Sequence, residues 1–394
     1  MSRVLCIYEQ DMPTVSLLRD FFSLVNQKIG ISVTFQSIKY VKRKDVDKYD
    51  VLIFIRPNNY LSSSIAKKAQ EAGCIVIFFA DDDLLNLPKK LPSIPWRRKA
   101  FLKTLNNSNI VLSSSKYICD KYGPQTKERR SALINTVVPE EIISKIPRKE
   151  SYLNKKVISI VYAAGYEHTA LFDEYISPIM NRLYKRYRKN ISFTFIGVHP
   201  ELNEYKDKME IEYYSTMTLN NYREFMLDRK FDIGLAPLNK DDFSKCKYFN
   251  KFFEYTLAGA VGIYSNTEPY TYVITDKVNG YLADNTEESW YNAFCTAIDD
   301  YLLRKQCLDN AIQKLRNNFN FSAVTEKLLE DIPELYKYSK KESYCLSFTI
   351  DKLIYYLFRI ADSIYLFIYY LSKKGIRGVI NRIKLHIKHR KMYN

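Results

Sequence analysis

Phe231–Ser265 reads FDIGLAPLNKDDFSKCKYFNKFFEYTLAGAVGIYS, a strand, a loop, a helix and a second strand. Ile233–Ala236 is a short apolar strand that ends at Pro237. Leu238–Cys246 is charged, carries no apolar pattern and reads as a loop. From Lys247 the apolar residues Phe249, Phe252, Phe253 and Leu257 fall at helical spacing. Gly259 ends that helix as a left-handed C-cap prefers, and Ala260–Tyr264 returns to strand. In a parallel sheet, such a unit puts its loop and helix start at the carboxyl edge, where α/β proteins bind ligands. Lys247 and Lys251 add positive charge to the helix dipole there, so the place favours a phosphate. Glu254 follows Lys247 by seven residues, on roughly the same face, and suits hydrogen bonds from sugar hydroxyls.

Working outward, the same alternation recurs on both sides. Upstream, Val4–Tyr8, Val33–Ser37, Val51–Ile55, Ile75–Phe79 and Ile110–Leu112 read as strands, with helices at Thr14–Asn26, Leu61–Ala72 and around Lys116–Tyr122. Around Pro139–Asn154 the pattern dissolves into Pro, Lys and Glu, which reads as a linker. It restarts with strands at Val157–Tyr162, Ser192–Ile196 and Ile211–Tyr214 and helices at Phe172–Lys185 and Asn220–Asp228. Past the opening stretch come a strand at Gly280–Ala283 and helices at Glu287–Leu303 and Ser322–Tyr336. The expected organisation is α/β: two doubly wound domains at 1–148 and 149–340, and a helical tail at 341–394. Two such domains suggest a cleft between facing carboxyl edges, suited to a large ligand.

A chain of 394 residues that is 46% hydrophobic has enough apolar material for two cores. Its seven cysteines are scattered singly, which points to reduced thiols in a cytosolic compartment rather than a disulfide or zinc framework. The N-terminal sequence runs straight into a strand and carries no visible signal peptide. The net charge of +16 is concentrated at the C-terminal end. Ser372–Asn394 holds Lys373, Lys374, Arg377, Arg382, Lys384, Lys388, Arg390 and Lys391 and no acid. Such a tail binds a lipid surface or a nucleic acid, or is simply solvated. Leu346–Leu371 resembles a membrane span but contains Asp351, Lys352, Arg359 and Asp362, which are costly in hydrocarbon. Its apolar residues Ile350, Leu353, Leu357, Ile360, Ile364 and Phe367 form a helical stripe, as in a helix lying in a membrane interface or packed on the protein body. Apolar stripes beside the basic residues suit a bilayer better than a nucleic-acid groove.

Two further places carry chemistry. Gly165-Tyr-Glu-His168 follows the first strand of the second domain, where a backbone N–H and an imidazole can approach a pyrophosphate; alone, it reads equally as a surface loop. Asp81-Asp82-Asp83 ends a buried strand, where acids bind a metal, position an acceptor hydroxyl or cap a helix; no partner cluster accompanies them. No nucleophile elbow, Cys/His pair or zinc motif is present. What remains is chemistry by positioning and electrostatics, which fits transfer from an activated phosphate donor.

With these residues in view, the chain resembles the GT-B glycosyltransferases, and among them the retaining, family-four-like enzymes that build bacterial surface polysaccharides. Asp232–Val261 is similar to the family pattern D-I-x-L-x-P-L, K-x-x-x-K-x-x-E-Y and G-x-P-V. Tyr162–His168, YAAGYEH, is similar to the loop opening the donor domain, and Phe78–Pro88, FFADDDLLNLP, to an acceptor-side element. The resemblance implies two Rossmann-like domains facing across a cleft, with final helices crossing back to the first domain. It implies a nucleotide-sugar donor as substrate, with no cofactor and no metal. Carried over by position, Glu254 binds the nucleotide ribose, Lys247 and Lys251 neutralise the diphosphate, and Gly165 and His168 face the same leaving group. Asp82 is the acceptor-side candidate, and Asp82 and Glu254 are the candidate catalytic residues. Many members have a glutamate where this chain has Cys246, which leaves Asp241 or Asp242 for the sugar contact. The expected activity is sugar transfer to a polysaccharide or lipid-linked acceptor, at the inner face of the cytoplasmic membrane, with the basic tail on an anionic surface. The alternatives are an inactive scaffold in a polysaccharide assembly complex and a nucleic-acid-binding protein.

Overall fold

The computed structural model describes residues 2–86, 92–146, 157–165, 168–340 and 347–392; at 43, 219, 374, 378–379 and 381–392 it describes the backbone only. The chain forms two compact units, Met1–Ile134 with Leu328–Asn394, and Asn135–Lys327.

The first unit holds β1 (Val4–Tyr8), β2 (Val33–Ser37), β3 (Val51–Ile55), β4 (Ile75–Phe79), β5 (Ile110–Ser113) and β6 (Arg130–Leu133). They form one parallel sheet in the order β2-β1-β3-β4-β5-β6. β3 and β4 are buried throughout, as continuous apolar runs in a sheet covered on both faces must be. The buried Asp50 carboxylate, just before β3, accepts from the Arg3 backbone N–H and from Nε and Nη2 of its guanidinium, each at 2.9 Å. This fork fixes the register of β1 against β3, Val4 opposite Val51.

The second unit holds β7 (Ile158–Ala163), β8 (Ile191–Ile196), β9 (Glu210–Tyr214), β10 (Ile233–Ala236), β11 (Val261–Ser265) and β12 (Tyr281–Ala283). These too are parallel, in the order β12-β11-β10-β7-β8-β9. Asp232 repeats the device seen at Asp50: buried just before β10, it accepts from Ser159 N at 2.9 Å and Ser159 Oγ at 2.8 Å. It sets Ile233 opposite Ile160.

The units differ from the expected boundaries at 148/149 and 340/341, because segments that look like linkers are packed. Val138, Ile143 and Ile146 share a core with Phe253 and Phe319, and Val138 N donates to Phe319 O at 2.7 Å. Beyond Leu328 the chain belongs to the first unit. Arg130 Nη1 donates to Glu334 Oε1 at 2.6 Å, and Phe348 and Tyr355 lie in that unit's core. The expected tail domain is therefore, over its described part, one of the first unit's own layers.

Several elements escape the sequence pattern. The helix Pro95–Asn106 and β6 have weak periodicity. The single helix expected at Glu287–Leu303 is two, Glu287–Asp299 and Tyr301–Asn318, because the Asp300 carboxylate caps the second by accepting from Leu303 N.

Candidate functional site

In an open α/β sheet the ligand crevice lies where the strand order reverses. In the second unit the chain leaves β7 outward to β8 and β9, then returns to β10 on β7's other side. The loop after β7 carries Gly165 and His168; the loop after β10 carries Lys247. His168 N donates to Gly165 O at 2.9 Å, and Tyr162 Oη donates to His168 O at 2.9 Å, so the imidazole is anchored above β7. Lys247 Nζ lies 3.2 Å from His168 Nε2. With lysine as donor, Nε2 accepts. Two basic groups thus touch across the switch point of the sheet. A phosphate lodged there gains a charge-assisted bond from the lysine and lies beside the imidazole.

Lys247 does not start the long helix, as the apolar spacing predicts. The helix is Asn250–Leu257, and a separate turn, Asp242–Lys245, precedes it. Asp241 caps that turn by accepting from Ser244 N at 2.8 Å, and Asp242 pairs with Lys245 at 3.8 Å. The loop is charged because it is built from caps and ion pairs rather than an apolar face. Cys246 is fully buried, and its thiol donates to Asp242 O at 3.0 Å.

Glu254 is half-exposed on the long helix. Its Oε2 accepts from Tyr222 Oη at 2.8 Å and from Lys251 Nζ. Lys251, read from sequence as a companion of Lys247, is ion-paired one turn back from Glu254 instead. Burial, and then the Glu254 charge, push the Tyr222 hydroxyl well above its ordinary value, so it stays a proton donor. Both bonds go to Oε2; neither uses Oε1.

Two glycines set this helix in place. A Cβ at Gly234 in β10 would lie 2.4 Å from the ring of Tyr255, so only glycine lets the ring cover the strand and its hydroxyl donate to Leu235 O. Gly259 ends the helix with φ 73°, and Ala260 N returns to Tyr255 O at 2.9 Å.

In the first unit the order reverses between β1 and β3. A cavity of about 150 Å³ opens there, lined by Glu9, Met12, Arg56, Asn58, Leu84 and Arg97. The three aspartates after β4 diverge. Arg56, at φ 50°, reaches Asp81 at 3.1 Å and Asp82 at 3.0 Å. Asp83 turns inward to Lys121 at 2.7 Å and to the Tyr122 hydroxyl. Burial pushes the Asp83 carboxyl up, but bonds from Lys121, Tyr122 and Asn86 outweigh it and hold the group below the usual carboxylate range. Asp83 is thus a structural anchor, and Asp82 is the half-exposed member beside the cavity-lining Arg56. Among the described residues, no three His, Cys, Asp or Glu side chains converge as a metal requires.

Tyr222 and Arg56 are site residues that the sequence pattern misses. Each meets its partner only through the fold, Tyr222 from the helix before β10 and Arg56 from the end of β3. Of the tail cations, Lys373 and Arg377 are exposed; the side chains of Lys374, Arg382, Lys384 and Lys388, like residues Tyr166 and Glu167, lie outside the described set.

No protein-family model matches the sequence, and no curated protein does. Solved structures do match. Sucrose-phosphate synthase of Thermosynechococcus elongatus aligns at a TM-score of 0.60 and 10% identity, covering 86% of this chain and 100% of that one. A glycosyltransferase of Rickettsia africae aligns at 0.57 and 12%, covering 86% and 100%. HepE of Anabaena in complex with UDP-glucose aligns at 0.56 and 11%, covering 85% and 100%. At such low identity the comparison speaks to fold, and together with the two parallel doubly wound sheets it gives the chain the GT-B fold.

Proposed function

We propose that this protein is a glycosyltransferase that moves a sugar from a nucleotide-sugar donor to a polysaccharide or lipid-linked acceptor in cell-surface glycan synthesis. The observation that carries the reading is the contact of Lys247 with His168 across the switch point of the second sheet. In this reading the donor diphosphate lies against Lys247, His168 and the backbone after β7. Glu254, held by Tyr222 and Lys251, accepts the ribose hydroxyls through Oε1. In the reaction the bond from the sugar's anomeric carbon to the phosphate oxygen breaks, a bond to the acceptor oxygen forms, and the acceptor hydroxyl's proton passes to the leaving diphosphate. The negative charge that develops on the leaving diphosphate is met by Lys247 and the start of the Asn250–Leu257 helix, with no need of a metal. Asp82, paired with Arg56, is the acceptor-side carboxylate, and Asp241 or Asp242 takes the sugar contact that Cys246 does not offer. Transfer proceeds with retention of configuration, at the inner face of the cytoplasmic membrane. HepE was solved with UDP and with UDP-glucose, which makes uridine donors the first to try.

The buried Cys246 also favours a second reading, a GT-B scaffold without turnover. A screen of nucleotide sugars for hydrolysis separates the two. Turnover of one donor, lowered about 100-fold or more in Lys247→Ala and in Glu254→Ala with folding retained, is the expected result. Turnover unchanged in both variants contradicts the site, and no turnover of any donor favours the scaffold.

A further inference from the structure

The helix Thr349–Met392 is interrupted at Gly375, where φ is 60°, so it consists of two arms. The first arm packs on the first unit with its charged side. Asp351 accepts from Ser64 Oγ and pairs with Lys68, both at 2.6 Å. Arg359 pairs with Glu9 at 2.8 Å. Asp362 pairs with Arg97 at 2.6 Å and accepts from Trp96 Nε1 at 2.7 Å. The apolar side is therefore turned to solvent: Leu353, Leu357, Ile360, Ile364 and Phe367 are each 53–63% exposed. From Leu353 through Ser372 every exposed residue is uncharged. A surface helix of a globular protein ordinarily does the reverse. The stripe from Ile350 to Leu371 runs for about 32 Å at the helical rise, and a contiguous exposed apolar strip of this kind marks an interaction surface.

The spacing of three and four also fits a coiled-coil seam, so the occupant must be decided. Coiled coils flank their seam with charged residues that pair between chains. Here the exposed flanks include Tyr356, Ser363 and Ile368. Uncharged and aromatic flanks suit the boundary of headgroups and acyl chains. Past the stripe, Lys373 and Arg377 are exposed, where an anionic leaflet meets them. No described helix is long and apolar enough to cross a membrane. We propose that the outward face of residues 350–371 is a docking surface that lies flat in the interface of an anionic bilayer, held in that orientation by the ion pairs beneath it. The apolar face makes the contact, and the basic residues assist it. This surface deepens the membrane location proposed above and rests on the first unit alone.

Flotation of the full chain with phosphatidylcholine vesicles containing phosphatidylglycerol tests it. The wild-type chain floats. Leu357→Glu/Ile360→Glu/Ile364→Glu lowers the bound fraction about 100-fold or more, with an unchanged circular dichroism spectrum. Lys373→Ala/Arg377→Ala lowers it about 5-fold per charge removed. Ile360→Trp gains fluorescence that brominated lipids quench, a readout independent of whether the triple variant folds. A wild-type chain that stays at the bottom, a triple variant that floats like wild type, or a tryptophan that is not quenched overturns the proposal. A lipid-free dimer that the triple variant dissociates, with no flotation, overturns it in favour of a second copy. Donor hydrolysis is read separately, and its loss with flotation intact counts against the second unit's site alone.

Discussion

Lys247 and Glu254 lie on one connected stretch but serve different parts of the proposed donor. Lys247 joins His168 across the switch point, whereas Glu254 is held by Tyr222 and Lys251 on the helix. The two substitutions should therefore separate phosphate from nucleoside recognition. Inorganic pyrophosphate, as a competitor of nucleotide binding, should lose about 10- to 100-fold in affinity in Lys247→Ala, the worth of a charge-assisted hydrogen bond. In Glu254→Ala its affinity should stay within about 3-fold of wild type, while that of a nucleoside diphosphate falls. Equal losses for both ligands in both variants would remove the division of roles. The sequence makes Lys247, Lys251 and Glu254 legible because they fall within eight residues, although only the last two lie on the helix. It does not make the pairing legible, since Lys251 finds Glu254 one turn away before any ligand is considered. Arg56 and Tyr222 are invisible to spacing arguments, as their partners are 26 and 32 residues away or come from another strand end.

At the scale of elements, a glycine in a strand decides where the helix bearing Glu254 sits. Gly234→Ala brings a Cβ against the Tyr255 ring and pushes that helix off the sheet. The expected cost is about 1–3 kcal/mol of stability for overpacking, together with weaker nucleotide binding. Thermal denaturation and a nucleotide titration on the same variant check both, and an unaltered melting temperature would rule the packing argument out. The strands and most helices near the site follow from apolar runs and from Gly259. The C-terminal helix shows the limit of such reading. Periodicity locates its apolar stripe between Ile350 and Phe367, but a soluble helix would bury that stripe. Only the ion pairs of Asp351, Arg359 and Asp362 reveal that the polar side packs inward.

Across the whole molecule, the two parallel sheets follow the alternation of strand and helix in the sequence, while the division into units does not. Ile143 and Ile146 look like linker because a short segment with Pro, Lys and Glu carries too few apolar residues to show a period, yet they complete the second core. The return of the chain to the first unit rests on long-range contacts such as Arg130 with Glu334. Both units present polar residues at the reversal of strand order, and in the second Lys247 and His168 meet there. The proposed function requires this second switch point to hold a nucleoside diphosphate. Calorimetric titration of the full chain with UDP, GDP, ADP and dTDP tests it most directly. Saturable binding of at least one of them at one site per chain is expected, weakened about 10-fold or more by Lys247→Ala. Absence of binding for all four, or binding that Lys247→Ala and His168→Ala leave unchanged, would contradict it.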